Sequence, residues 1–343
     1  MKALVLEDYM KLVYKEVADP VPGPEEVLVE VKATGICGSD VHGIDGSTGR
    51  RIPPVIMGHE ASGIIRDTGS RVNDWKPGDR VTFDSTVYDL EDWFSRRGDY
   101  NLSDGRMVLG VSAKEFRRDG TYAEFVTVPR HILYRLPENV SFTKAAMVEP
   151  AAVALHAINL TPVALNDTAV VVGAGMIGLF LVQMLRLAGC TEIVAVDIDT
   201  GKLSLAEKLG ATIILNPEKD NVSSEVKAMT GTRGADIAFE AVGLSSSIDT
   251  AIGALRKGGT LTILGNLSPS VEIPLQTIVT GQLRIQGSCA INGEYSPVLD
   301  LLSKDLLNTD AMLSAEVPLS EGADWFRRLY NREKGLNKVI LIP

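Results

Sequence analysis

The sequence predicts an α/β protein of two domains, a barrel-like β domain and a doubly wound parallel sheet. Three observations carry that expectation. At 343 residues the chain is long for a single core and suits two domains. Its first 150 residues read as short strands punctuated by Gly and Pro, the spacing of a barrel-like β domain. From residue 168 apolar strands alternate with helical stretches, which implies a parallel sheet covered on both faces.

Taken in order, MKALVLEDYMKLVYKE alternates like a strand. EEVLVEVKATGIC (25–37), HEASGIIRDTG (59–69), GDRVTF (78–83) and GTYAEFVTVP (120–129) continue the β domain. KAAMVEPAAVALHAINL reads as a helix interrupted or kinked at Pro150. TAVVVGAG, TEIVAVD, DIAFEAVG, TLTILG and LRIQGS are strands, with MIGLFLVQMLRLAG and KLSLAEKLGA as helices among them. After about residue 290, two helical stretches precede a last strand, NKVILI, that returns to the first domain. The expected boundaries are therefore 1–152 with 290–343 for the β domain and 153–289 for the parallel sheet.

Composition narrows the function classes. Hydrophobic residues at 45% and charged residues at 23% are ordinary for a soluble globular protein. A net charge of −10 argues against a nucleic-acid partner, because phosphate binding needs a basic face. Cys37, Cys190 and Cys289 are odd in number and far apart, so no disulfide framework follows and a reducing cytoplasm is the natural reading. The N-terminus lacks a basic-then-apolar signal layout, and no apolar run reaches about 18 residues. No membrane partner is expected.

VVVGAGMIG places Gly173, Gly175 and Gly178 after an apolar strand and at the start of a helix. The first glycine permits a tight turn, the second lets a pyrophosphate approach the backbone, and the third allows close helix–strand packing. Met176 and Ile177 open the helix, whose N-terminus faces the phosphates. Asp197 ends the next strand, nineteen residues past Gly178, where a carboxylate accepts from the adenosine ribose hydroxyls and repels a 2′-phosphate. This favours NAD over NADP. Lys202, in the following helix, joins the candidate cofactor residues. The alternative is a structural glycine turn with Asp197 as a solvated strand end.

A second constellation is spread more widely. GICGSDVHG holds Cys37, Ser39, Asp40 and His42; GHE holds His59 and Glu60; VEP holds Glu149. One thiolate, one imidazole and carboxylates suit a borderline-soft divalent metal, zinc first. Asp40 is a candidate to fix the His59 tautomer from behind. On spacing alone, a small buried cysteine, a turn histidine and solvated carboxylates remain an open alternative. His131 and His156 read as ordinary surface or packing histidines.

GICGSDVHG, GHEASG, VEPAAVALHA and VVVGAGMIG with Asp197 occur in the order found in the medium-chain zinc-dependent alcohol dehydrogenases, which the whole chain resembles. The resemblance implies a GroES-like β-barrel catalytic domain built from both chain ends, with a Rossmann domain inserted. The Glu60 and Glu149 pattern looks like the sorbitol dehydrogenase and sugar-alcohol or butanediol branch. By that resemblance Cys37, His59 and Glu60 are catalytic zinc ligands. Glu149 is a fourth ligand or a carboxylate on the group at the open position. Ser39 relays the substrate proton towards His42.

The implied activity is oxidation of a secondary hydroxyl of a polyol or related sugar alcohol, with NAD as acceptor and zinc lowering the hydroxyl pKa. Alternatives are a threonine- or butanediol-type dehydrogenase, a sugar-phosphate substrate, or a catalytically silent nucleotide-binding protein. GSTGRRIPPVIMGHE also resembles polyol-phosphate dehydrogenases, although the sequence ties neither Arg50 nor Arg51 to a phosphate. A homo-oligomer, dimer or tetramer, is expected.

One stretch departs from the family. In YDLEDWFSRRGDYNLSD, Asp89, Asp92, Ser95 and Ser103 stand where most relatives carry four cysteines around a structural zinc. Carboxylates and hydroxyls are poor replacements for thiolates, so one catalytic zinc and no structural zinc is expected. Arg96 and Arg97 are close enough in sequence to pair with Asp89 and Asp92. Packing by Trp93, Phe94 and Tyr100, or a subunit contact, is expected to hold the lobe.

Overall fold

A computed structural model describes residues 1–111 and 117–343. The chain forms two compact units, Met1–Ala152 with Ala290–Pro343 and Val153–Cys289.

The first unit is built on a seven-stranded sheet. Along it lie Leu133–Arg135, Arg80–Phe83, Glu60–Thr68, Glu26–Gly35, Lys338–Ile342 and Leu313–Pro318, with Phe125–Pro129 also pairing to Glu26–Gly35. Alternation in EVLVEVKATG turns Val27, Val29, Val31 and Ala33 inward, and the three valines join Ile65, Val81, Phe83 and Val128 in one core. The N-terminal segment is a hairpin rather than one strand. Lys2–Asp8 and Lys11–Glu16 pair antiparallel, and the chain reverses at Tyr9–Met10, where Met10 takes a φ of 60°.

Register sets the geometry of the site. Gly35 pairs with Glu60 and, on its other side, with Ile340. The antiparallel order thus brings the residues just past Gly35 beside those just before Ala61. A side chain at Gly35 would overlap Glu60 Oε2, so glycine is required where these strands converge.

The helix expected to break at Pro150 breaks earlier. One helix ends at Ala146, and the next runs Val148–Asn159 without interruption. Pro150 lies in its first turn, where the missing N–H has no intrahelical partner to lose and the ring meets no preceding carbonyl.

The second unit is a six-stranded sheet ordered Ile213–Leu215, Glu192–Val196, Thr168–Val172, Ala235–Glu240, Leu255–Ile263 and Arg284–Gly287, with every pair parallel. Thr168–Val172 and Ala235–Glu240 are buried along their whole length, as a sheet covered on both faces demands. The strand order reverses between these two, and the crevice at their C-terminal ends is where this architecture takes ligands. No helix among the described residues is long and apolar enough to cross a membrane.

Candidate metal and dinucleotide sites

Cys37 lies two residues past the strand Glu26–Gly35 and directly precedes a single helical turn, Gly38–Val41; Glu60 opens the strand Glu60–Thr68, with His59 just before it. One ligand atom from each of Cys37, His59 and Glu60 lies within 4.8 Å of the other two. Among the described residues this is the one group of three or more His, Cys, Asp or Glu side chains able to hold a metal. The structure therefore brings together three residues that lie 22 and 23 positions apart in sequence.

The chemistry of this group fits a dication. Burial, reinforced by Glu60 and Asp40, pushes the Cys37 thiol up to about 12. A thiolate there needs a cation beside it, and thiolate, imidazole and carboxylate are the donors zinc takes. His59 Nδ1 is buried without a hydrogen-bond partner and lies 3.5 Å from Asp40 Oδ2. Metal bound at the other ring nitrogen would set the tautomer that places a proton on Nδ1, facing that carboxylate.

Sequence reasoning missed the groups that brace this centre. Arg51 is buried, and its Nε and Nη2 donate to Asp40 Oδ1 at 2.8 and 2.6 Å. The Tyr122 hydroxyl donates to Asp40 Oδ2 at 2.7 Å. Burial raises the Asp40 carboxyl, but the Arg51 guanidinium and His59 outweigh it and hold the group below its usual range. A side chain at Gly43 would meet Arg51 Cγ at 2.5 Å, so the last glycine of GICGSDVHG clears the way for this arginine. Lys338 is fully buried and donates to Glu60 Oε2 and to the Ile36 carbonyl, the latter at 3.1 Å. Its sequence signal was a lone cation opening the apolar run KVILI.

The remaining sequence candidates occupy distinct positions. Ser39 is exposed; its hydroxyl donates to Cys37 Sγ at 3.3 Å and accepts from Arg51 Nη2 at 3.3 Å. His42, half-buried, ends the turn Gly38–Val41. Glu149 stands outside the three-residue group, in the first turn of Val148–Asn159. It is buried, and its Oε1 accepts from the Ser85 hydroxyl at 3.2 Å. Burial pushes its carboxyl up to about 8, with His59 opposing and Glu60 and Cys37 adding to the rise. His131 is half-buried with Nε2 3.2 Å from the Tyr88 carbonyl, and His156 is buried. Both are packed rather than exposed.

The lobe at 88–104 differs from expectation in its pairing. Arg96 pairs with Glu91, and Arg97 stacks over Trp93 at 4.6 Å. Asp89 and Asp92 instead cap backbone: Asp89 accepts from the Glu91 N–H at 2.8 Å, and Asp92 from the Phe94 N–H at 2.9 Å. A short acidic side chain in a turn reaches its own following N–H groups more easily than a long partner reaches it. Trp93 is 63% exposed and meets the half-buried Phe94 ring edge-on at 4.9 Å, whereas Tyr100 is tied to the body of the unit.

In the second unit the three glycines divide their tasks by geometry. Gly173 takes a φ of 99°, and a side chain there would meet Val242 Cγ2 at 2.7 Å. A side chain at Gly178 would overlap the Gly173 carbonyl. Gly175 faces open space, with nothing within 4 Å of a built β-carbon, and no side chain caps the helix Met176–Leu187 that it opens. The first N–H groups of that helix, from Met176 and Ile177 onward, therefore have room for an anion. Asp197 stands beside this turn. Its Oδ2 accepts from Ala174 N–H at 2.7 Å and its Oδ1 from Asp199 N–H at 2.9 Å, which leaves each oxygen a further lone pair. Lys202 lies half-buried in the first turn of Thr200–Lys208.

Comparison with known proteins agrees with this architecture. Residues 23–138 match the alcohol dehydrogenase GroES-like domain, and residues 177–304 match the zinc-binding dehydrogenase family. D-xylulose reductase of Saccharomyces cerevisiae is 32% identical over 352 residues, covering 99% of this chain and 97% of that protein. Sorbitol dehydrogenase of Ovis aries is 31% identical over 328 residues, covering 94% and 90%. A solved structure from Sinorhizobium meliloti 1021, described as a zinc-binding dehydrogenase bound to NADP, superposes with a TM-score of 0.91 at 32% identity, covering 100% and 99%. The chain belongs to the zinc-dependent medium-chain alcohol dehydrogenases, in their polyol branch.

Proposed function

We propose that this protein passes hydride between a secondary hydroxyl of a polyol and NAD, with Cys37, His59 and Glu60 as its metal ligands. The observation that carries the proposal is the convergence of those three donors where the strands holding Gly35 and Glu60 meet. Zinc held there supplies Lewis acidity towards the alcohol oxygen. The chain's own residues do the rest. Glu149, fixed by Ser85, offers a buried carboxyl beside the donor group to orient the substrate hydroxyl. Ser39, exposed and bonded to Cys37 Sγ, with His42 at the end of the same helical turn, takes the proton outward to solvent. The glycine turn with Met176 and Ile177 holds the pyrophosphate. Asp197 and Lys202 hold the adenosine ribose, and the Asp197 carboxylate disfavours a 2′-phosphate. A chain that uses NADP as well as NAD in steady-state assays would remove that role from Asp197.

Arg51 offers no free guanidinium to a phosphorylated substrate. Arg51 is committed to Asp40 inside the protein, which leaves Arg50 alone and exposed. A plain polyol is the substrate class we propose. We assign the protein to the cytoplasm and to a homo-oligomer, the latter on the exposed edge strand Arg284–Gly287.

The test combines metal analysis with one variant. Protein purified without added metal should carry about one zinc per chain, and Cys37→Ser should lose it together with activity. Glu149→Ala should keep its zinc and its NAD affinity while turnover on a polyol panel falls at least tenfold, a typical loss for a positioned acid–base group. Full turnover in that variant would return Glu149 to a structural role.

A further inference from the structure

The 88–104 lobe carries no thiols, and one hydroxyl stands where three segments of the unit meet. Tyr100 stacks on Tyr88 with ring centroids 4.3 Å apart and planes 18° from parallel. The Tyr88 ring is in turn met edge-on by His131 at 4.8 Å. The Tyr100 hydroxyl donates to Asp84 Oδ2 at 2.7 Å and accepts from the Gly293 N–H at 2.7 Å. Lobe, sheet end and the returning C-terminal segment thus meet at one atom.

Asp84 is the unusual partner. It is buried at 1% exposure and forms no salt bridge among the described residues. A buried carboxylate without a cation is costly unless its hydrogen bonds are well made. Its Oδ1 accepts from the Thr86 N–H at 2.8 Å, which closes a tight turn around residue 85. That residue, Ser85, is buried and donates its hydroxyl to Glu149 Oε1. The turn fixed by Asp84 therefore fixes the group that holds Glu149.

We propose that Tyr100 is a positioning residue: through Asp84 it fixes the thiol-free lobe and, by way of the adjoining Ser85, it holds Glu149 in place beside the Cys37–His59–Glu60 group. This rests on the reading of Glu149 given above. The hydroxyl replaces the structural metal as the lobe's fastener, and it adds a link from the lobe to the catalytic wall.

The experiment uses the zinc-loaded enzyme and three variants. Tyr100→Phe keeps the ring stack and removes only the hydroxyl. Amide hydrogen exchange across 88–104 should speed up at least tenfold, with exchange in 168–196 unchanged and the zinc count unchanged. Turnover should fall about three- to tenfold, the scale of one lost hydrogen bond, with KM for NAD constant. Ser85→Ala should lower turnover by a similar factor and leave lobe exchange as it was. The double variant should be no slower than the worse single one, because both cut the same chain.

Unchanged lobe exchange in Tyr100→Phe overturns the fastening role, and multiplicative losses in the double variant overturn the link to Glu149. If Glu149→Ala proves fully active while Tyr100→Phe still loosens the lobe, the Glu149 reading fails and the fastening role stands. Should Tyr100→Phe not fold, Tyr88→Leu weakens the same anchor from the ring side. Unaltered lobe exchange there counts against the proposal.

Discussion

Asp84 shows how a single residue couples the fold to pH. Burial, with Glu294 adding a small repulsion, pushes its carboxyl up to about 6 from an ordinary 3.8. The folded state then binds a proton more tightly than the unfolded chain. The stabilisation is full below about 3.8 and is lost as pH rises through about 6, leaving a cost at neutral pH of at most roughly 3 kcal/mol. Asp84→Asn removes the charge while keeping an oxygen for Tyr100 or Thr86. The variant should exceed the parent in Tm at pH 7.5, by an amount equivalent to about 1–2 kcal/mol, and the advantage should vanish near pH 4. A Tm difference that is flat across this range would show that Asp84 does not titrate as its burial implies. None of this was legible in sequence, because Asp84 and Tyr100 are 16 residues apart and Gly293 a further 193. Likewise Lys338 meets Glu60 across 278 residues. By contrast, Cys37, His59 and Glu60 could be read from their motifs, although only strand register shows why they meet.

At the scale of elements, the unit best read from sequence is the strand–turn–helix at 168–187. Its information is local: a buried apolar strand, three glycines with separate steric duties, and an uncapped helix start. Asp197 extends that unit, since its carboxylate ties the end of Glu192–Val196 both to Ala174 and to the turn that opens Thr200–Lys208. Asp197→Ala should raise KM for NAD about tenfold, the order expected for losing charge-assisted bonds to a ribose. It should also narrow the preference for NAD over NADP, with the zinc count unchanged. A preserved preference would place cofactor choice elsewhere in the crevice. The misread elements share a cause. Pro150 was taken for a break because sequence does not say which turn of a helix a proline occupies. Arg96 and Arg97 were assigned to Asp89 and Asp92 because proximity in sequence does not reveal that turn carboxylates are already engaged by backbone.

At the scale of the whole molecule, the parallel sheet ends on one side in an unfinished edge. Among the described residues Arg284–Gly287 pairs with Leu255–Ile263 on one flank only, and all four of its residues are exposed. Around it the surface is apolar: Ile285 is 42% exposed, Ile273 49%, Leu275 64% and Val279 68%, and the helix Leu275–Gly281 buries none of its residues. An edge strand with free backbone groups and an apolar flank is normally charged, bulged or covered. This one carries a single cation, Arg284, and in the proposed homo-oligomer a second copy would offer the same edge in self-complementary form by two-fold symmetry. The strand could not be judged an exposed edge from sequence, since LRIQGS reads as one more strand of a sheet covered on both faces. Ile285→Lys and Val279→Lys should each leave secondary structure and zinc content intact and shift the mass in light scattering from that of an oligomer towards 36.9 kDa. Together the two charges should leave a monomer at micromolar concentration, because each would be buried without a partner in the proposed interface. A parent protein already monomeric under those conditions, or a double variant with unchanged mass, would leave this edge uncovered by a second copy.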